Sequence, residues 1–62
     1  MHITYRDREW DFDKEVTVLQ VLKRLKVLPE SVLVLCNGKL VPEDHRLQVG
    51  DEVKVVAVVS GG

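Results

Sequence analysis

The stretch Val53-Lys54-Val55-Val56-Ala57-Val58-Val59 decides the fold. Apart from Lys54 it is all valine and alanine, so apolar side chains fall on both faces of an alternating chain. A strand that is apolar on both sides belongs in the middle of a sheet. Gly50-Asp51 supplies a turn just before it, and Ser60-Gly61-Gly62 follows as a short tail.

Upstream, residues 42–51 hold a proline and several charges and read as a long irregular connection, which Leu47 and Val49 are expected to pin to the core. Before it, Val32–Cys36 is an apolar run of strand length, Asn37-Gly38 tolerates the positive φ of a type I′ hairpin turn, and Lys39–Val41 is the short returning strand. Further back the period changes. Val18, Val21, Leu22 and Leu25 stand at i, i+3, i+4 and i+7, along one side of a helix. Thr17 and Gln20 have capping-box spacing, and Lys23, Arg24 and Lys26 place positive charge near the negative end of the helix dipole. Pro29 forces its predecessor towards extended geometry, so the helix ends before Leu28. At the start of the chain, residues 1–6 alternate with Ile3 and Tyr5 on one face, residues 9–13 alternate with Trp10 and Phe12 on one face, and Asp7-Arg8 is the expected turn.

Two strands, a helix, two strands, an irregular link and a last strand make an α+β chain in the order of a β-grasp. That architecture is a mixed sheet of four to five strands curled over one helix, with the first and last strands parallel at its centre. A single domain is expected over residues 1–59, with a flexible tail at 60–62.

Sixty-two residues lie near the lower limit for a single apolar core and leave little material for an active-site cavity. The lone cysteine, Cys36, has no partner for an intramolecular disulfide, which fits a reducing, cytoplasmic setting. The Met-His-Ile-Thr-Tyr-Arg start lacks the basic and apolar regions of a signal peptide, and no apolar run approaches membrane-spanning length, so no membrane role is expected. The formal charge is −1, with Lys and Arg interspersed along the chain among Asp and Glu, and this predicts no basic field to attract nucleic acid.

Register counted back from Asn37 puts Val32, Val34 and Cys36 inward and Leu33 and Leu35 outward. With Val53, Val55 and Ala57 facing the helix, Val56 and Val58 point outward. Leu33, Leu35, Val56 and Val58 are therefore expected to form an exposed aliphatic patch running towards the tail, a docking surface for enzyme partners unless a loop or a dimer contact covers it. Cys36 sits in an apolar strand and reads as core, and His2 and His45 read as surface residues. Asp44 beside His45 reads as a solvated loop pair. No catalytic constellation and no metal site is expected from these side chains.

Three segments together resemble the ThiS/MoaD family of ubiquitin-like sulfur carriers: Asn37-Gly38-Lys39-Leu40-Val41-Pro42, Leu47-Gln48-Val49-Gly50-Asp51-Glu52-Val53 and Val58-Val59-Ser60-Gly61-Gly62. The short chain is more similar to the ThiS branch and to tRNA-thiolation carriers than to the longer molybdopterin synthase small subunit. The resemblance implies a non-enzymatic carrier whose working group is the terminal carboxylate of Gly62. An E1-like adenylyltransferase of the ThiF/MoeB type would use Mg and ATP to convert that carboxylate to an acyl-adenylate. Sulfur from a cysteine desulfurase or sulfurtransferase would then replace AMP. The resulting thiocarboxylate would serve a downstream sulfur-accepting biosynthetic enzyme, with thiamine thiazole synthesis or tRNA thiolation favoured over molybdopterin synthesis. No cofactor is expected on the chain itself.

A terminal carboxyl with an ordinary pKa of about 3.3–3.7 is ionised at neutral pH, so it needs access rather than activation. Gly61 and Gly62 lack Cβ atoms and can thread a narrow channel, while three extended residues, Ser60 included, reach roughly 10 Å. The same tail also fits a ubiquitin-like modifier in which a lysine amine captures activated Gly62. A regulatory or RNA-binding module of the TGS type, with the tail incidental, is the third reading; near-neutral charge and the lack of basic-aromatic clusters count against it.

Overall fold

The computed structural model describes residues 1–58. The elements in chain order are β1 (His2–Tyr5), β2 (Arg8–Asp11), β3 (Val16–Thr17), α1 (Val18–Leu25), a 3₁₀ turn (Pro29–Ser31), β4 (Val32–Cys36), β5 (Lys39–Val41), β6 (Arg46–Leu47) and β7 (Glu52–Ala57). Five strands make one mixed sheet in the order β2-β1-β7-β4-β5. β7 lies at its centre, parallel to β1 and antiparallel to β4, as its two apolar faces demand. This is the β-grasp order, with α1 packed across the inner face.

Ile3, Leu22, Leu47, Val18, Val21 and Val53 are the largest fully buried side chains, and together they are the junction of helix and sheet. Val32, Val34 and Cys36 are buried beside them as register predicts, and Tyr5, Trp10 and Phe12 pack against the rim. An eight-residue helix is too short to persist alone in water, so α1 is held by this burial and by its ends.

Both halves of the capping box form: Gln20 N–H donates to Thr17 Oγ1 at 3.2 Å, and Thr17 N–H donates to Gln20 Oε1 at 2.8 Å. Two further free amides of the first turn, Val18 and Leu19, donate to the carbonyls of His45 and Glu43, each at 2.9 Å. That capture, with the pairing of β3 and β6, gives the 42–51 connection a shape where alternation alone suggested none.

Five expectations need correction. The opening turn is Arg6-Asp7, one residue earlier than Asp7-Arg8, because pairing Tyr5 with Arg8 brings Met1 opposite Phe12, where Met1 is buried. The second strand accordingly spans Arg8–Asp11 rather than 9–13. Val49 does not pin the connection; it is 61% exposed in the 48–51 turn while Leu47 alone enters the core. β7 ends at Ala57, and Ala57, although on the inward register, is exposed. A six-residue strand runs about 20 Å against about 12 Å for α1, so the end of β7 outreaches the helix.

At its C-terminal end α1 closes on Lys26 in the left-handed conformation, φ 62°, with Val27 N–H donating to Leu22 O at 3.0 Å. Glycine adopts this conformation without the Cβ clash that costs a lysine about 1 kcal/mol. Lys26→Gly is therefore expected to raise unfolding stability by about 1 kcal/mol, or roughly 4–8 °C in Tm for a domain of this size, measured by thermal melting.

Candidate functional site

The sheet's outer face divides in two. On the β2-β1 side it carries His2, Thr4, Glu9 and Asp11; across β7, β4 and β5 it becomes aliphatic. Leu33 stands directly opposite Val56, and Leu35 opposite both Lys54 and Leu40. Of the expected patch, Leu33 is 45% exposed, Val56 and Val58 are 37% exposed each, and Leu35 is half-buried between its neighbours. Leu40, 62% exposed and cross-strand from Leu35, joins them. The same count from Asn37 that placed Leu35 outward also reaches Leu40, through the Asn37-Gly38 turn.

β5 has three residues and pairs only as far as Val34, which leaves Val32 and Leu33 without a strand neighbour on that side. A shallow groove of about 260 Å³ opens there, lined by Pro29, Leu33, Leu40, Val41 and Pro42, with Val18 and Leu22 behind. The patch thus has a relief, an apolar groove at the free side of Val32 and Leu33.

The patch leads to the point where β7 gives out. Val58 N–H donates to Ser31 O at 2.9 Å, anchoring the chain beside the 3₁₀ turn. Gly62, expected to carry the reactive carboxylate, and Gly61 and Ser60, expected to give it access, lie outside the described residues.

At the far end of the sheet, a polar cluster joins two turns that look independent in sequence. Asp51 accepts from Gln48 N–H at 2.9 Å and from Asn37 Nδ2 at 3.1 Å, while Asn37 Oδ1 accepts from Glu52 N–H at 3.0 Å. The Gln48 amide first, then Asn37 and Cys36, hold the Asp51 carboxyl below its ordinary value. Cys36 Sγ–H lies 3.5 Å from Asp51 Oδ2. Burial, and then the Asp51 carboxylate, push the Cys36 thiol up, so it stays protonated and packs as a core residue.

His2 is less solitary than its sequence position suggests. Its ring sits 2.9 Å from Glu9, 3.2 Å from Asp11 and 4.0 Å from Glu52. The hydrogen bond to Asp11, with the charges of Glu52 and Glu9, raises its pKa. Only the fold brings residues 2, 9, 11 and 52 together, so spacing along the chain carried no signal for it.

These two groups set a pH profile. A raised histidine contributes stability that is complete below its ordinary 6.5 and is lost as pH rises through its folded value. A depressed aspartate contributes above its ordinary 3.8 and loses that contribution as pH falls through its folded value. Urea midpoints are therefore expected to peak between the two ordinary values, and His2→Gln to flatten the alkaline limb while leaving the acid limb in place.

Among the described residues, no group of His, Cys, Asp or Glu is arranged to hold a metal ion, and no helix is long and apolar enough to cross a membrane. Architecture and surface together define a ubiquitin-like protein, in which a β-grasp domain presents an aliphatic face beside the exit of its last strand. Comparison with known proteins narrows that class. The ThiS family model matches residues 1–62, and the chain belongs to the ThiS family, whose ubiquitin-like members are sulfur carriers and generally non-catalytic. It is 36% identical over 50 residues to small archaeal modifier protein 2 of Haloferax volcanii, covering 81% of this chain and 74% of that one. Its fold matches the crystal structure of the thiamine biosynthesis protein ThiS from Geobacter metallireducens with a TM-score of 0.69 and 26% identity over the whole of both chains.

Proposed function

We propose that this protein carries sulfur as a thiocarboxylate on Gly62. The observation that supports this most directly is the ThiS family match over residues 1–62, which includes the terminal Gly61-Gly62. In this reading an E1-like enzyme binds Mg and ATP, and the Gly62 carboxylate attacks the α-phosphorus, releasing pyrophosphate and forming an acyl-adenylate. The terminal sulfur of a donor persulfide displaces AMP to give an acyl disulfide. A thiol then reduces that disulfide, leaving the thiocarboxylate on Gly62 and the donor as a mixed disulfide. The chain supplies no catalytic group; it supplies the carboxylate, its reach and a docking face. Four residues beyond Val58 span at most about 13–14 Å, enough to enter a partner's pocket while the domain stays outside. The carried sulfur goes to a biosynthetic enzyme, with thiazole formation or tRNA thiolation as the proposed destinations.

The test is intact-mass measurement after incubation with the cognate E1-like enzyme, Mg-ATP and a sulfur donor. The expected gain is the mass difference between sulfur and oxygen; no gain, with the enzyme shown active on ATP, would sink the proposal.

Likeness to an archaeal modifier protein favours a second use of the same activated end. A lysine amine in place of the persulfide would displace AMP and leave an isopeptide bond. Gly-Gly remnants on lysines of cellular proteins, dependent on Gly62, are the expected mark of that activity. Their absence while thiolation proceeds would confine the protein to sulfur transfer.

A further inference from the structure

The cations interspersed along the chain are sorted by the fold. β7 and β1 run parallel, so the Arg6-Asp7 turn and Arg8 lie at the end of the sheet where β7 finishes. The C-terminal end of α1 reaches the same place: Tyr5, Arg6, Arg8 and Trp10 line one hollow with Leu25, Lys26 and Val27. Lys54 joins from β7, lining a second hollow with Thr4, Arg6, Val56 and Ala57. Arg6, Arg8, Lys26 and Lys54 are exposed there and Lys23 and Arg24 are exposed on the last turn of α1, together six of the nine Lys and Arg residues. Of the ten Asp and Glu side chains only Asp7 and Glu30 accompany them, and the rest lie on segments 9–15 and 43–52. No carboxylate among the described residues comes within ion-pair distance of any of the six, whereas His2 and Arg46 are paired.

Two of these cations occupy positions for which their side chains are poorly suited. Arg6, φ 58°, and Lys26, φ 62°, are two of the three non-glycine residues in the left-handed region among the described residues; the third, Asn37, is of a type that tolerates it. Glycine at either place is expected to give a more stable fold, so the left-handed backbone carries a cost where positive charge stands. Arg6 and Arg8 are also positioned, each guanidinium 5.4 Å from the ring centre of Tyr5 or Trp10.

We propose that these residues form a basic collar around the exit of the tail, and that it docks on an acidic rim at the mouth of the activating enzyme's channel. This rests on the carrier reading above. A protein rim fits better than a nucleic-acid backbone because Lys54 lies across from Leu35 and next to Val56, so the collar continues the aliphatic patch. An apolar centre edged by charge is the anatomy of a protein interface. Asp7 and Glu30 are tolerable against a mixed rim and unfavourable against uniform phosphates. Charge sorted to the tail end orients the protein tail-first as it approaches.

Two variants test it, Arg6→Gly/Lys26→Gly and Arg8→Gln/Lys54→Gln, in ATP–pyrophosphate exchange by the cognate E1-like enzyme with the carrier varied, at roughly 0.05 M and 0.5 M salt. At low salt each variant is expected to raise KM for the carrier about tenfold with kcat unchanged, and the wild-type advantage is expected to vanish at high salt. The glycine pair should do this while melting higher than the wild type, which loss of folding cannot produce. Wild-type KM retained by both variants at low salt would overturn the collar while leaving the carrier reading intact; a wild type never activated removes that reading, and the collar with it. Total tRNA retarded by the wild type at low salt but not by the variants, with KM unchanged, would also overturn it and assign the surface to nucleic acid.

Discussion

Replacing Gly62 with tryptophan, or adding residues after it, is expected to abolish adenylation while the melting temperature stays within a degree or two of the wild type. The domain closes without the tail: β7 ends at Ala57, and the last backbone bond that fastens the chain in the described residues is Val58 N–H to Ser31 O. The core formed by Ile3, Val18, Leu22, Leu47 and Val53 is assembled from residues before that point. The proposed chemistry, by contrast, has one nucleophile, and an added residue moves the carboxylate by about 3.3–3.6 Å. Displacement of about an ångström from a reacting phosphorus already costs on the order of 10²-fold, so a whole residue is expected to leave no measurable turnover. The assay is ATP–pyrophosphate exchange beside a thermal melt. Activation that survived the extension would contradict the threading argument, and a joint loss of folding and activity would place the tail in the core.

Leu33→Asp is expected to lower kcat/KM for activation about 10²-fold without unfolding the protein. Leu33 is 45% exposed, faces away from α1 and touches Val56 across the strand, so a carboxylate there is hydrated in the free domain. In a docked complex the same carboxylate loses its water beside Val56, Val58 and Leu40, at a cost of a few kcal/mol. Two to four kcal/mol corresponds to roughly 30- to 1,000-fold in binding. Val49→Asp is the matched control: Val49 is 61% exposed but sits on the far turn, away from the patch, and is expected to behave as wild type. Equal losses in both variants would point to a general effect of charge, and wild-type efficiency in Leu33→Asp would remove the sheet face from the interface.

The elements most legible in the sequence are those whose signals are local. Thr17 and Gln20 specify their capping box across three residues, Asn37 and Gly38 take positive φ as neighbours, and alternation within Val32–Cys36 separates Val34 from Leu33. The outer patch was readable for the same reason, because two strands of known register suffice to place Leu33 and Val56. The 42–51 connection was not, since its form depends on the amides of Val18 and Leu19 at the other end of a helix. Val49 has the composition of a core residue and the position of a turn residue, and only the Asp51–Gln48 bonds decide between them.

By itself, then, the sequence determined the two hairpins, the helix, the last strand, their order and the Gly-Gly end, because hydrophobic period and turn chemistry act over a few residues, whereas β3 and β6 arise only from pairing across the fold. Tertiary structure alone decided how charge is distributed in space. His2 meets Glu9, Asp11 and Glu52 across three strands, and Arg6, Lys26 and Lys54 converge on one end from three different elements. Coulomb interaction depends on distance through space, and a chain read in order contains those distances only once the first and last strands lie side by side.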